Sequence, residues 1–221
     1  MWTGATGAVA RRYDSLMMIE ELGPRVANVW KDLRPTTKSL LEKAWQSSGP
    51  GAPPQLPRST AYDPRADQEL SQLLAALDEH AQQIEVTGDR EAARESRRLA
   101  DACATVLGQQ TQSAEVFAEL IERAHQRKKY AQVDALAALM PERLAPSELC
   151  ELARANNVVV RALAHEALTQ LPTSLLAALL RDPIDAVVAR QALERQANEF
   201  DSEDAQLVLR ERFIEREENF D

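Results

Sequence analysis

Glycine is scarce in this chain, at 7 of 221 residues, and aromatic residues make up only 5%. β-Branched residues are few and never alternate along a run, so nothing builds the period-two pattern of a half-buried strand. That argues against any sheet and leaves helices, which the abundant Leu and Ala favour. The two cysteines, Cys103 and Cys150, stand far apart with no CxxC between them, so no disulfide framework is written here. Both read as reduced thiols among apolar helical neighbours. No apolar run approaches the length that spans a bilayer. A glycine-rich phosphate loop, a GxSxG turn and an HExxH pair are all missing. The three histidines, His80, His125 and His165, do not pair on one helical face, and each reads as structural or solvated. The carboxylates at helical spacing beside arginines, such as Glu91 and Glu95, read as ordinary surface pairing. These absences predict a protein that is not an enzyme and that binds no metal or cofactor.

Charge is present but uneven. Residues 1–58 carry 8 Lys/Arg and 5 Asp/Glu, a net of +3, while residues 59–221 carry 18 and 30, a net of −12. An acidic body is a poor match for nucleic acid, whose phosphates demand positive charge. It suits a protein that meets basic or neutral protein surfaces.

The chain divides into a leader over 1–46, a linker over 47–62 and a helical body over 63–221. Met1 to Tyr13 has no acidic residue and carries Arg11 and Arg12. That stretch resembles a mitochondrial targeting leader; the other reading is a floppy N-terminus. Three short helical pieces follow. Asp14 or Ser15 caps Leu16–Leu22, which Gly23-Pro24 stops; Pro24 opens the second, which ends at Pro35; Thr37 caps a third with Leu40, Leu41, Ala44 and Trp45. All three tryptophans, Trp2, Trp30 and Trp45, fall in this leader. Helices this short are marginal in water, so they either fold back on the body or dock on a partner, where Trp is a favoured anchor. Docking on a partner is placed first. Gly49-Pro50-Gly51, Pro53-Pro54 and Pro57 make residues 47–62 an extended linker.

In the body, Asp63-Pro64 is a cap followed by proline at the first helical position. Leu70, Leu73, Leu74, Leu77 and Ala81 then share a face up to Gly88. Asp89 caps a second helix that Gly108 ends, and the two form an antiparallel hairpin. A second hairpin places Val116, Phe117, Leu120 and Ile121 against Val133, Leu136 and Met140. Its turn is basic, with Arg123, Arg127, Lys128 and Lys129 beside Tyr130. That turn reads either as solvated or as a docking point for an acidic surface or a phosphate. A third hairpin pairs 146–155 with 158–171, and a fourth pairs 174–181 with 183–200, opened by Asp182-Pro183. Asp201 or Ser202 caps a last helix with Leu207, Leu209, Phe213 and Ile214. Leucines from Leu149 to Leu193, Leu175 and Leu180 among them, supply the apolar stripe, and Pro141, Pro146, Pro172 and Pro183 punctuate it. Second helices overlay: Val133, Leu136, Ala137 and Met140 match Ala164, Ala167, Leu168 and Leu171, then Ala189, Ala192 and Leu193.

The segment AEVFAELIERAHQRKKYAQVDALAALMPERLAPS (114–147) resembles a pentatricopeptide-type helical hairpin, with Leu120-Ile121 in its first helix and Ala131 opening its second. LCELARANNVVVRALAHEALTQLP (149–172) resembles a HEAT-type hairpin, with Val160-Arg161 and Ala167-Leu168. The resemblance implies stacked helical hairpins and a binding surface. RNA reading by the pentatricopeptide type needs a regular series of repeats, and the resemblance carries one copy.

The expected fold is all-α: a helical-hairpin, α-solenoid-like stack with an extended N-terminal leader. The expected function is a non-catalytic scaffold or accessory subunit. Its partners are other protein subunits of a larger assembly, on leader-level analogy a mitochondrial energy-converting complex. The candidate contact residues are Trp2, Trp30, Trp45, Arg123, Arg127, Lys128, Lys129 and Tyr130. The alternatives are a pentatricopeptide-like RNA-binding protein and a free bacterial cytoplasmic adaptor.

Overall fold

A computed structural model describes residues 19, 22–46 and 62–218; of these, the side chains of residues 45, 46, 87 and 212–218 are outside the description. Every regular element among the described residues is a helix. In order they are α1 (Pro24–Asp32), α2 (Pro35–Gln46), α3 (Pro64–Thr87), α4 (Arg90–Gln110), α5 (Ala114–Gln126), α6 (Tyr130–Arg143), α7 (Pro146–Leu152), α8 (Val158–Thr169), α9 (Thr173–Leu179), α10 (Ala186–Glu199) and α11 (Glu203–Glu218). The contacts group them into two units, Met1–Thr111 and Gln112–Asp221. The boundary differs from the sequence-based division at 62/63, because α1 and α2 pack on α3 and so belong with the first long hairpin.

Unit 1 is built on α3 and α4. The Asp63 carboxylate accepts from the Arg65 N–H at 3.0 Å, and Pro64 sits where its missing N–H costs nothing. Gly88, at φ 90°, turns the chain in the left-handed region that glycine alone enters freely. Asp89 then caps α4 through the Ala92 N–H at 3.1 Å. The two helices run antiparallel in a register written by small polar groups. Ser96 Oγ donates to the Leu77 carbonyl at 2.9 Å, and Cys103 Sγ to the Leu70 carbonyl at 3.4 Å. Ala93, Ser96, Ala100 and Cys103 are all buried, and their small volume lets α4 lie close to the leucines of α3. Gly108 does not end α4; the helix continues to Gln110, and Leu107 is fully buried beneath that last turn.

Unit 2 holds three hairpins and a last helix. Ser113, Asn157 and Ser202 cap α5, α8 and α11 through their side-chain oxygens. Glu148 reaches back to the Ala145 N–H at 2.7 Å to open α7. Within the hairpins α5 packs on α6, α7 on α8 and α9 on α10; between them α6 packs on α8 and α8 on α10, while α5 packs on α7, α7 on α9 and α9 on α11. Most of the small residues that overlay in sequence are buried, Ala164 and Ala167 on α8 and Ala189 and Ala192 on α10, while Ala137 on α6 is half-buried. Phe117, Leu149, Leu168 and Leu193 fill the space between.

Several local expectations are corrected. Pro141 lies inside α6 rather than breaking it; it falls in the last turn, where the ladder bond it removes is one of few remaining. Asp182-Pro183 does not start α10, which begins at Ala186; the Asp182 carboxylate instead accepts from the Ile184 N–H at 2.8 Å and shapes the preceding turn. Leu175 is exposed rather than part of the apolar stripe. The expected leader helix over 16–22 lies mostly outside the described residues, as do the linker over 47–61 and the side chains of Phe213 and Ile214.

Candidate functional site

The residues singled out from the sequence do not converge. Trp2 and the Trp45 side chain lie outside the described residues. Trp30, first expected to seek a partner, is buried in unit 1, with Lys38 Nζ 5.4 Å above its ring centroid. The cause is a polar clasp that binds the leader to α3. The Glu69 carboxylate accepts from Arg34 Nε at 2.6 Å, from the Arg34 backbone N–H at 3.3 Å and from Thr37 Oγ1 at 2.5 Å, while Arg34 Nη2 reaches Asp63 at 2.9 Å. Thr37 is therefore not a cap: α2 starts at Pro35, and Thr37 is buried with its hydroxyl committed to Glu69. The donors outweigh the desolvation of Glu69 and Asp63 and hold both carboxyls below their ordinary pKa. At the other end of α1, Gly23 (φ 116°) lies against the His80 ring, where an added Cβ would sit 3.1 Å from Nε2.

The basic turn between α5 and α6 is dispersed. Arg123 is buried, Arg127 and Lys129 are half-buried, and Lys128 and Tyr130 are exposed. The Tyr130 ring stands edge-on to His125 with centroids 6.2 Å apart.

A groove that the sequence reading did not find opens between α8 and α10. It is an open depression of about 440 Å³ lined by His165, Gln191, Glu194, Arg195, Asn198 and Glu199. Arg195 crosses it. Its Nη2 meets Glu166 of α8 at 3.2 Å, and its Nε and Nη2 meet Glu199 at 3.2 and 3.1 Å. Glu199 and then Glu166 raise the Arg195 pKa further. Burial, with the charges of Arg195 and Arg161, lowers that of His165 and keeps the imidazole neutral at pH 7. The side chains of Gln191, Glu194 and Asn198 are exposed and make no hydrogen bond or ion pair among the described residues. The lining offers hydrogen bonds and charge, and holds no hydroxyl or thiol nucleophile. Its signal in the sequence was the polar side of α10 at spacing 191, 194/195 and 198, opposite Ala189, Ala192 and Leu193.

Both cysteines are buried and neither is in a disulfide. Burial and the nearby Asp185 push the Cys150 thiol up to about 11, so it is a packed apolar group and not a thiolate. Among the described residues no three His, Cys, Asp or Glu are grouped to hold a metal, and no helix is long and apolar enough to cross a membrane. Comparison with protein-family models, with curated proteins and with solved structures returns no match to this chain.

Proposed function

We propose that the chain is a non-catalytic helical-repeat scaffold, an accessory subunit that holds other proteins within a larger assembly. The observation that carries this reading is the packing in unit 2, where each of the three hairpins packs on the next through both its first and its second helix. Serial stacking of this kind is what a solenoid requires, and a solenoid would offer its flanks to a partner. Two further features support it. The groove lies between two second helices. Ile184, Val187, Phe200 and Leu207, on the last hairpin and the helix after it, are large apolar side chains left exposed, which would favour a protein contact there if a partner brings them together. The acid-free stretch 1–13 is the part of the chain that would direct such a subunit to a mitochondrial complex; a bacterial cytoplasmic adaptor is the alternative setting.

Purification of the natural protein under mild conditions tests the reading. The expected product is a complex of fixed protein stoichiometry that survives nuclease treatment. A lone 24.6 kDa chain, or a complex that nuclease dissolves, would overturn it, the second outcome in favour of RNA binding.

A further inference from the structure

Glu194 is the one carboxylate lining the α8–α10 groove that makes no ion pair among the described residues. Glu199, and Glu166 at its edge, share Arg195, and Glu194 is left exposed and unpaired among the described residues. Against the three carboxylates stand Arg195 and the Arg161 whose charge reaches His165, so one negative charge stays uncompensated. Unit 2 as a whole carries 13 Lys/Arg and 20 Asp/Glu, a net of −7, so the surroundings add to the negative potential.

On either side of Glu194 stand two free carboxamides, Gln191 and Asn198. They are separated by two helical turns and therefore lie on one stripe of α10, about 10 Å apart along its axis. An extended chain advances about 3.3 Å per residue, so the same distance spans roughly three residues. Each carboxamide offers one acceptor and two donors, the set that a peptide N–H and C=O complement. A side chain between them would stand over Glu194. Arg195 stiffens the floor by tying α10 to Glu166 of α8. The spacing selects an extended protein segment, and the charge selects a cation at its middle. A phosphate backbone would meet the same carboxylates with repulsion.

We propose that this groove receives an extended segment of a partner protein, seating a Lys or Arg side chain on Glu194 and the flanking peptide groups on Gln191 and Asn198. The inference rests on the scaffold reading above and names the chemistry of the partner at that site.

The test uses the full chain and two labelled octapeptides, acetyl-(Ala-Lys)4-amide and acetyl-(Ala-Glu)4-amide, followed by fluorescence polarisation. The lysine peptide binds and the glutamate peptide does not. Glu194→Gln weakens binding about tenfold, as expected for the loss of one charge-assisted contact, and the Gln191→Ala, Asn198→Ala pair weakens it by a similar factor. Glu203→Gln removes one charge from exposed α11 and changes the affinity less than twofold. Failure of the lysine peptide to bind, equal binding of both peptides, or equal weakening by Glu203→Gln would each overturn the proposal, the last by showing adsorption to net charge. A natural complex that stays intact with the three groove substitutions would sink the groove and leave the scaffold standing; a chain with no partner at all would sink the scaffold.

Discussion

Gln196 shows how one buried polar side chain holds a turn. Its Nε2 donates to the carbonyls of Thr169 at 2.9 Å and Leu171 at 2.7 Å, and its Oε1 accepts from Thr173 Oγ1 at 3.1 Å. It thus satisfies carbonyls that the end of α8 leaves open and anchors the start of α9. Gln196→Ala is expected to cost about 2 kcal/mol, since the groups it leaves behind remain sheltered from water; thermal unfolding measures it. Asp67 is the opposite case. It is 2% exposed; Gln110 Nε2 donates to its Oδ1 at 3.2 Å and the Thr111 and Tyr62 side chains also hydrogen-bond the carboxyl, but Oδ2 has no partner and these bonds do not offset the desolvation. Burial raises its pKa above the ordinary 3.8. The unfolded chain therefore gives up this proton at lower pH than the folded one, and the stability tied to it is present below 3.8 and lost as pH rises through the folded value. Asp67→Asn is expected to stabilise the protein by about 1 kcal/mol at pH 7, with the gain over the natural chain shrinking to nothing below pH 3.8. Equal stability of the two at pH 7 would refute the account of this carboxylate.

At the scale of elements, α1 and α2 depend on Glu69. Its pKa is lowered from 4.5, as that of Asp63 is from 3.8, so the clasp is present at neutral pH and is lost as pH falls through the depressed values. Glu69→Gln removes the charge that three donors share. Amide exchange in residues 24–46 is expected to quicken about tenfold at pH 7 while the α3–α4 pairing keeps its protection. Unchanged exchange in 24–46 would mean that apolar burial of Val26, Trp30 and Leu41 alone holds the leader. Helix by helix, much of this was legible. The Asp63-Pro64 and Asp89 caps, the Gly88 stop and the buried faces of α3 to α6 followed from period and capping chemistry. Two of the misses share a cause. Gly108 and Thr37 act locally as a breaker and a cap, and tertiary contacts overruled both: Leu107 buries the last turn of α4 and Glu69 takes the Thr37 hydroxyl; Pro141 is tolerated for a local reason, since it falls where few ladder bonds remain. Trp30 was misplaced for the same reason, since nothing in the leader announces that Arg34 will find Glu69, 35 residues away.

For the whole molecule, composition foretold an all-helical chain, and the described residues contain only helices. The candidate site was less legible. The basic turn looked continuous in sequence, but one turn of helix separates Arg123 from Arg127 and carries Arg123 into the interior. The groove, in turn, exists only because α8 and α10 are brought side by side, and its polar residues look like any solvated helix face until that packing is known. The most direct measurement of whether this molecule holds proteins, and by which flank, places a photo-crosslinking side chain at Gln191 on α10 and, separately, at Glu115 on the exposed side of α5, in the natural cell. The scaffold account predicts one protein captured from position 191 and none from position 115. Capture from 115 alone would contradict the groove as the contact and leave the scaffold standing; capture from neither position would contradict the scaffold account.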